Sequence, residues 1–243
     1  MAIAFDAAVT TAGAATPQTI SNVVVAATNR ILFVAFGNNA ASDTATGVTY
    51  NGVSMTRVSA TAGTSGNYLY LYAIVGQSGT HNVVITLSSG AIYRSTCASY
   101  TGVNQSITWT GGSPTDNTAV QSGTGTSVTQ SVTTIADNSW VFTCCWEDNG
   151  VANTTTTNIT IRGTAQIVTQ AGDSNAAVTP AGAYSQTWNS DGTSKWGMIQ
   201  ASFSPAVAAG PANLKSYNTN LKANIKSIDT NLIANVKSLD TNA

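Results

Sequence analysis

The sequence predicts an all-β fold: a two-sheet antiparallel sandwich of jelly-roll type over residues 1–205, a linker at 206–211 and a repeat tail at 212–243. Three observations lead there. Short runs rich in Val, Ile, Thr, Tyr and Phe recur along the first 205 residues, separated by clusters of Gly, Asn, Asp, Ser and Thr, the pattern of many short strands. No apolar period of helical length interrupts them. At 206–211, AVAAGP, small residues and a proline close this body before an 11-residue motif begins to repeat.

Taken in order, ILFVAFG (Ile31 to Gly37) is a continuous apolar run, which suits a strand buried on both faces. VTYNGVSMTRV places Asn51-Gly52 between alternating residues, the requirement of a two-residue type I′ hairpin turn. NYLYLYAIV alternates Tyr68, Tyr70 and Tyr72 with Leu69, Leu71 and Ala73, so an aromatic and an aliphatic face both need a cover. HNVVITL, IYRSTCASY, SVTQSVTT, SWVFTCCW, AYSQTW and GMIQASFSP read as further strands. TGGSPTDN (Thr110 to Asn117) and NGVANTTTTN (Asn149 to Asn158) read as loops. Trp140 and Trp146 share the two-residue period with Phe142 and Cys144, which marks a core face.

Composition narrows the function. Charged residues are 8% of the chain, against about 25% in an ordinary soluble domain. The surface is therefore neutral and rich in hydroxyl and amide groups. The net charge is -1, and four of the nine basic residues (Lys215, Lys222, Lys226, Lys237) lie in the tail, which speaks against nucleic acid as a partner. No run of 18 apolar residues is present to span a membrane, and MAIAFDAAVT lacks the basic and apolar regions of a Sec leader. Cys97, Cys144 and Cys145 read as buried free thiols rather than as a disulfide or zinc framework.

A catalytic site needs convergent titratable groups, and the sequence holds a single histidine, His81, and a single glutamate, Glu147. His81 follows a Gly-Thr turn. Glu147-Asp148 are adjacent, which rarely sets two carboxylates across a substrate. No GxSxG, phosphate-binding loop or dinucleotide fingerprint occurs. We expect no enzymatic activity, no cofactor and no dedicated metal site; Glu147 to Gly150 (EDNG) has oxygens suited to a loop calcium without the spacing of a calcium loop. Three sequons, at Asn104, Asn153 and Asn158, fit the composition by chance. Trp109 precedes a Gly-Gly loop and Trp188 precedes Asn-Ser-Asp-Gly; at loop edges both are candidates for glycan contact, against the alternative of packing over a sheet end.

The ordered series MAIAFDAA, NRILFVAFG, GVTYNGVSMTRVS, GTHNVVITL, SYTGVNQS, VTTIADNSWVF, AGAYSQTW and MIQASFSPA resembles a β-sandwich domain recurrent in tailed phages and uncultivated bacteria, over nearly all of the body to about residue 206. The domain is similar to virion fibre, decoration and surface-exposed proteins. The resemblance implies a structural part in a virion or on a cell surface, and carries no activity with it.

The motif ANLKSYNTNLK starts at Ala212 and returns at Ala223 and Ala234. Its apolar residues, Leu214, Tyr217, Leu221, Ile225, Ile228, Leu232, Val236 and Leu239, step by three and four, which suits a helical stalk of about 3.67 residues per turn. Ser, Thr, Asn and Asp in the repeat favour instead short strands stacked into a β-coil. Either form leaves this stripe uncovered by its own chain, so the tail is expected to join copies into a homo-oligomer. The expected function is a structural and attachment protein of a phage virion (a fibre, decoration or receptor-contacting module), meeting other virion proteins or a cell-surface glycan. The alternatives are a bacterial surface filament or adhesin subunit, and a carbohydrate-binding module.

Overall fold

The computed structural model describes residues 1–14, 16–26, 28–63, 66–109, 116–148, 153–163 and 169–207. The eight residues of the tail stripe lie outside the described residues. Met1–Ala206 forms one compact unit. It is all-β, with no helix among the described residues.

Nine strands make up the first half: β1 (Ala4–Ala14), β2 (Gln18–Val25), β3 (Ile31–Asn38), β4 (Ala45–Tyr50), β5 (Val53–Ser54), β6 (Thr56–Ala62), β7 (Tyr68–Val75), β8 (Gly79–Leu87) and β9 (Ile92–Thr101). They pair as the two arms of one long hairpin, β1 with β9, β2 with β8, β3 with β7 and β4 with β5, all antiparallel. Rolled up, this hairpin gives two sheets, a front sheet β2-β8-β4-β5 and a middle sheet β1-β9-β3-β7-β6. That double-sheet arrangement is a jelly roll. Its tip is the turn expected from the sequence. Asn51 (φ 52°) and Gly52 (φ 75°) both take positive φ between the paired residues Tyr50 and Val53.

The second half supplies β10 (Thr118–Thr133), β11 (Trp140–Glu147), β12 (Asn153–Thr157), β13 (Thr160–Ile161), β14 (Thr169–Asp173) and β15 (Ala183–Phe203). They form a third, back sheet, β10-β15-β11-β14-β13, with β12 on β15. The antiparallel sandwich expected from the sequence is present, and the structure adds a third sheet to the two expected. The jelly roll is complete by residue 101, and the strands of the second half cover the other side of its middle sheet.

The side-chain alternation of β3 explains why both covers are needed. Ile31, Phe33 and Ala35 pack toward the back sheet, while Leu32, Val34 and Phe36 pack toward the front sheet. β7 divides in the same way, with Leu69, Leu71 and Ala73 to the back and Tyr70 and Tyr72 to the front. Phe33 is the hub of the back layer, stacked on Phe142 at 4.6 Å and edged by Phe203 at 5.3 Å and Tyr100 at 6.1 Å. Trp146 approaches the middle sheet where a side chain is missing. A Cβ at Gly37 would stand 2.7 Å from its ring, and one at Gly63 2.8 Å. Cys97, Cys144 and Cys145 are buried free thiols, as expected. Burial pushes Cys97 and Cys144 well above the ordinary thiol range, which leaves them unionised.

β10 and β15 form a ribbon that doubles back. Its register shifts between Gly125 and Ser127, where Asn189 to Ser194 of β15 bulge. Beyond the bulge the ribbon folds over the outer face of β11, and Asn117 Nδ2 reaches the Thr133 carbonyl at 2.6 Å, so the ends of β10 meet. The back sheet is therefore nearly closed on itself. Val128 and Trp188 from the returning half pack on Cys145, Trp196 and Met198, and Val132 packs with Val141 and Val178. Gln200 donates to Gln186 at 2.8 Å across this fold. AYSQTW and GMIQASFSP, read from sequence as separate strands, are thus one strand, and the loop expected at Asn149 to Asn158 contains β12.

Two consequences are measurable. A Cβ at Gly52 meets nothing within 4 Å, so Gly52→Val should cost only backbone strain, about 1 kcal/mol or more, seen as a lower urea midpoint. The second concerns Asp173, which is fully buried. It accepts hydrogen bonds from Tyr100 Oη (2.7 Å), Arg162 Nε (2.5 Å) and Nη2 (3.0 Å), and the Asn175 amide (2.7 Å). Asp173→Ala would leave the Tyr100 phenol without its acceptor and the Arg162 guanidinium with Asn175 Oδ1 in place of a carboxylate, between the middle and back sheets. A loss of about 3–5 kcal/mol is expected by the same measurement.

Candidate functional site

The residues singled out for chemistry are placed apart. Strand alternation sends Glu147 inward, where it is 3% exposed, and leaves Asp148 on the surface. Asp148 Oδ1 accepts from the Lys195 amide at 2.9 Å and Ser194 Oγ at 3.1 Å, and its own amide donates to the Lys195 carbonyl. It thereby pins the bulge where the ribbon doubles back. His81 lies on β8 in the front sheet, edge-on to Tyr50 at 5.5 Å. Among the described residues no group of three His, Cys, Asp or Glu side chains could hold a metal ion. Asn149 and Gly150 lie outside the described residues.

The two tryptophans expected to contact glycan behave differently. Trp188 is fully buried inside the doubled-back ribbon, and its Nε1 donates to Thr143 Oγ1 at 3.2 Å. The Asn-Ser-Asp-Gly segment after it is a bulge within a strand rather than a surface loop, so the ring is closed to a sugar. Trp109 is half-buried. It packs 5.7 Å from Phe33, and its Nε1 donates to the Ser202 carbonyl at 2.9 Å.

The fold does present an uncharged polar face. On the returning half of the ribbon the buried residues fall on one side of the alternation: Val128 and Val132 on β10, Gln186 and Trp188 on β15, with Gln130 and Tyr184 partly buried on the same side. The intervening residues point outward: Ser127, Thr129, Ser131 and Thr133 on β10, and Ser185 and Thr187 on β15. Thr129 and Thr187 are cross-strand partners with their hydroxyls 2.8 Å apart, and Thr157 of β12 pairs with Thr187 on its other side. One rank of three threonines thus crosses three strands, with serines along the strand at about 6.8 Å per two residues. The face carries no charge and rests on buried indole and valine side chains. Its signal in the sequence was the Ser/Thr alternation of SVTQSVTT, which marks an exposed strand face without saying which strands join it.

A cleft of about 460 Å3 lies at another place, lined by Met1, Ala2, Ile3, Asn138, Trp140 and Ala177. Those side chains carry no titratable group. The Met1 amino group is held by the Ala206 carbonyl at 2.9 Å.

No family model and no curated protein matches the chain. Among solved structures the chain is similar to a conserved protein of unknown function from Pseudomonas aeruginosa PAO1, at 12% identity over 76% of this chain and 80% of that one, with a TM-score of 0.24. It is also similar to the major capsid protein P2 of bacteriophage PM2, at 9% identity over 86% of this chain and 100% of that one, with a TM-score of 0.24.

One buried carboxyl makes stability depend on pH. Asp116 is 1% exposed and accepts from Ser204 Oγ (2.9 Å), the Ser204 amide (3.2 Å) and Ser202 Oγ (3.2 Å). Burial raises it above the ordinary 3.8, against the lowering effect of those hydrogen bonds. A carboxyl raised in the folded state binds its proton more tightly there than in the unfolded chain. Its contribution to stability is complete below 3.8 and is lost as pH rises through the raised value. Urea midpoints of the native chain should therefore fall with rising pH relative to those of Asp116→Asn, which lacks this titration.

Proposed function

We propose that the chain is a non-enzymatic structural and attachment protein, a self-associating display module of a phage virion. The observation that carries this reading is the uncharged hydroxyl face of the doubled-back ribbon, with the buried Trp188, Val128 and Val132 beneath it. Such a face offers many weak hydrogen bonds and no reactive group, which suits contact with a neutral, hydroxylated partner such as a cell-surface glycan. The acidic side chains support the same reading: Asp148 holds a bulge, Asp173 ties two sheets and Asp116 anchors the C-terminal end of β15. At the level of fold alone, jelly rolls serve viral capsids and lectins. The repeat tail, from Leu214 to Leu239, supplies the apolar stripe through which copies would join.

Light scattering on the full chain and on residues 1–207 tests the assembly part of the reading. The full chain should be an oligomer and the truncated body should have a lower mass, with circular dichroism confirming that the body is folded. Equal masses would remove the tail from assembly. Wild-type cleavage of a glycan that is lost in Glu147→Gln would overturn the non-enzymatic assignment.

A further inference from the structure

The strands at the edges of the three sheets differ in how they are protected. An exposed edge presents unpaired N–H and C=O groups to any other strand, and folded proteins blunt it with charge, proline, bulges or shortness. β1 bulges at Asp6, whose carboxylate accepts from the Ala26 amide at 2.7 Å, and Gln18 caps the Ala12 carbonyl at 2.7 Å. β6 carries Arg57 and a bulge after it. β2 is broken between Ile20 and Val23, with Asn22 at φ 57°. β5 and β13 have two residues each. β12 has five residues and a bulge.

β10 has none of these over its first stretch. It is sixteen residues long, without a charged residue or a proline, and terminates the back sheet. Its register shift falls between Gly125 and Ser127, so Thr118 to Gly125 is an unbroken run. The direction of its backbone groups is set by one bond. The Ser202 amide donates to the Asn117 carbonyl at 2.9 Å. Antiparallel alternation then turns Ala119, Gln121 and Gly123 toward β15, and turns the N–H and C=O of Thr118, Val120, Ser122 and Thr124 toward the open edge. Val120, on this run, is 47% exposed.

We propose that Thr118–Gly125 is an interaction surface for a second copy of this chain, the two β10 edges pairing antiparallel about a two-fold axis to make one continuous back sheet. The partner is a second copy because the run is compatible with itself. Thr, Ala, Val, Gln, Ser and Gly set opposite the same set bring no like charges together, and a two-fold axis satisfies both edges at once. This interface rests on the reading of the protein as self-associating, and is separate from the tail.

The test uses the full chain. Amide hydrogen exchange should show Val120, Ser122 and Thr124 protected at high protein concentration and about 100-fold less protected on dilution to single copies, since these amides have no strand partner among the described residues. Val120→Pro removes an outward amide without touching the ladder to β15, and Ser122→Lys sets like charges near each other across the axis; each should at least halve the mass seen by light scattering. Unprotected amides at high concentration, a full chain that is a single copy throughout, or an unchanged mass in the folded Ser122→Lys variant would each overturn the proposal. If the edge variants lower the mass while removal of the tail does not, the edge interface stands and the tail reading fails; the reverse pattern rejects the edge alone.

Discussion

The middle sheet has two apolar faces, and this constraint organises everything around it. β3 carries no polar residue between Ile31 and Phe36, so no rotation of the strand gives it a solvent side. A jelly roll alone would cover Leu32, Val34 and Phe36 and leave Ile31, Phe33, Leu69, Leu71 and Tyr100 in water. Burial of a large aliphatic or aromatic side chain stabilises by about 1.5–3 kcal/mol, and a whole domain has only about 5–15 kcal/mol of net stability. Leaving that face open would remove most of it. The second half of the chain is therefore a structural cover first, whatever else its surface does.

Apolar packing brings sheets together but is indifferent to small shifts between them, and the polar contacts that cross the layers remove that freedom. Tyr100 of β9 and Asp173 of β14 meet from the middle and back sheets, and Arg162 closes on the same carboxylate while lying 4.0 Å over the ring of Phe5 on β1. Asp6 joins the two sheets of the jelly roll through the Ala26 amide and Ser99 Oγ. In a chain with 8% charged residues, several acidic groups are thus committed to internal registration. A buried acceptor without its donor is costly, so each of these pairs penalises a shifted alternative more than it strengthens the native one.

How far this was legible depends on the range of the signal. The Asn51-Gly52 turn is a two-residue requirement, and it appears as the tip of the rolled hairpin. The double burial of β3 and β7 comes from the period of two, which reports faces. The number of sheets cannot be read that way, because a face that needs a cover carries no record of which strands supply it. The bulge at Asn189 to Ser194 has the composition of a turn, so β15 read as two strands and Trp188 as a loop-edge aromatic. The same bulge is what turns Trp188 inward, since the strand resumes beyond it on a different layer. Gly37 and Gly63 gave no local sign that an indole from more than 80 residues away would rest on them.

The neutral surface has a physical consequence that the fold alone would not show. Net charge near zero removes the long-range repulsion that keeps most soluble proteins apart. Copies of this chain can therefore approach closely in any orientation, and short-range geometry decides the outcome at contact. A face of hydroxyls on water loses about as many hydrogen bonds as it gains on meeting another such face. Such a face has little to distinguish one neutral partner from another. A straight backbone edge is different, because its donors and acceptors are fixed at strand spacing and match another strand in one register at a time. Where charge is absent, specificity between copies would come from backbone geometry, which the unbroken run from Thr118 to Gly125 of β10 offers.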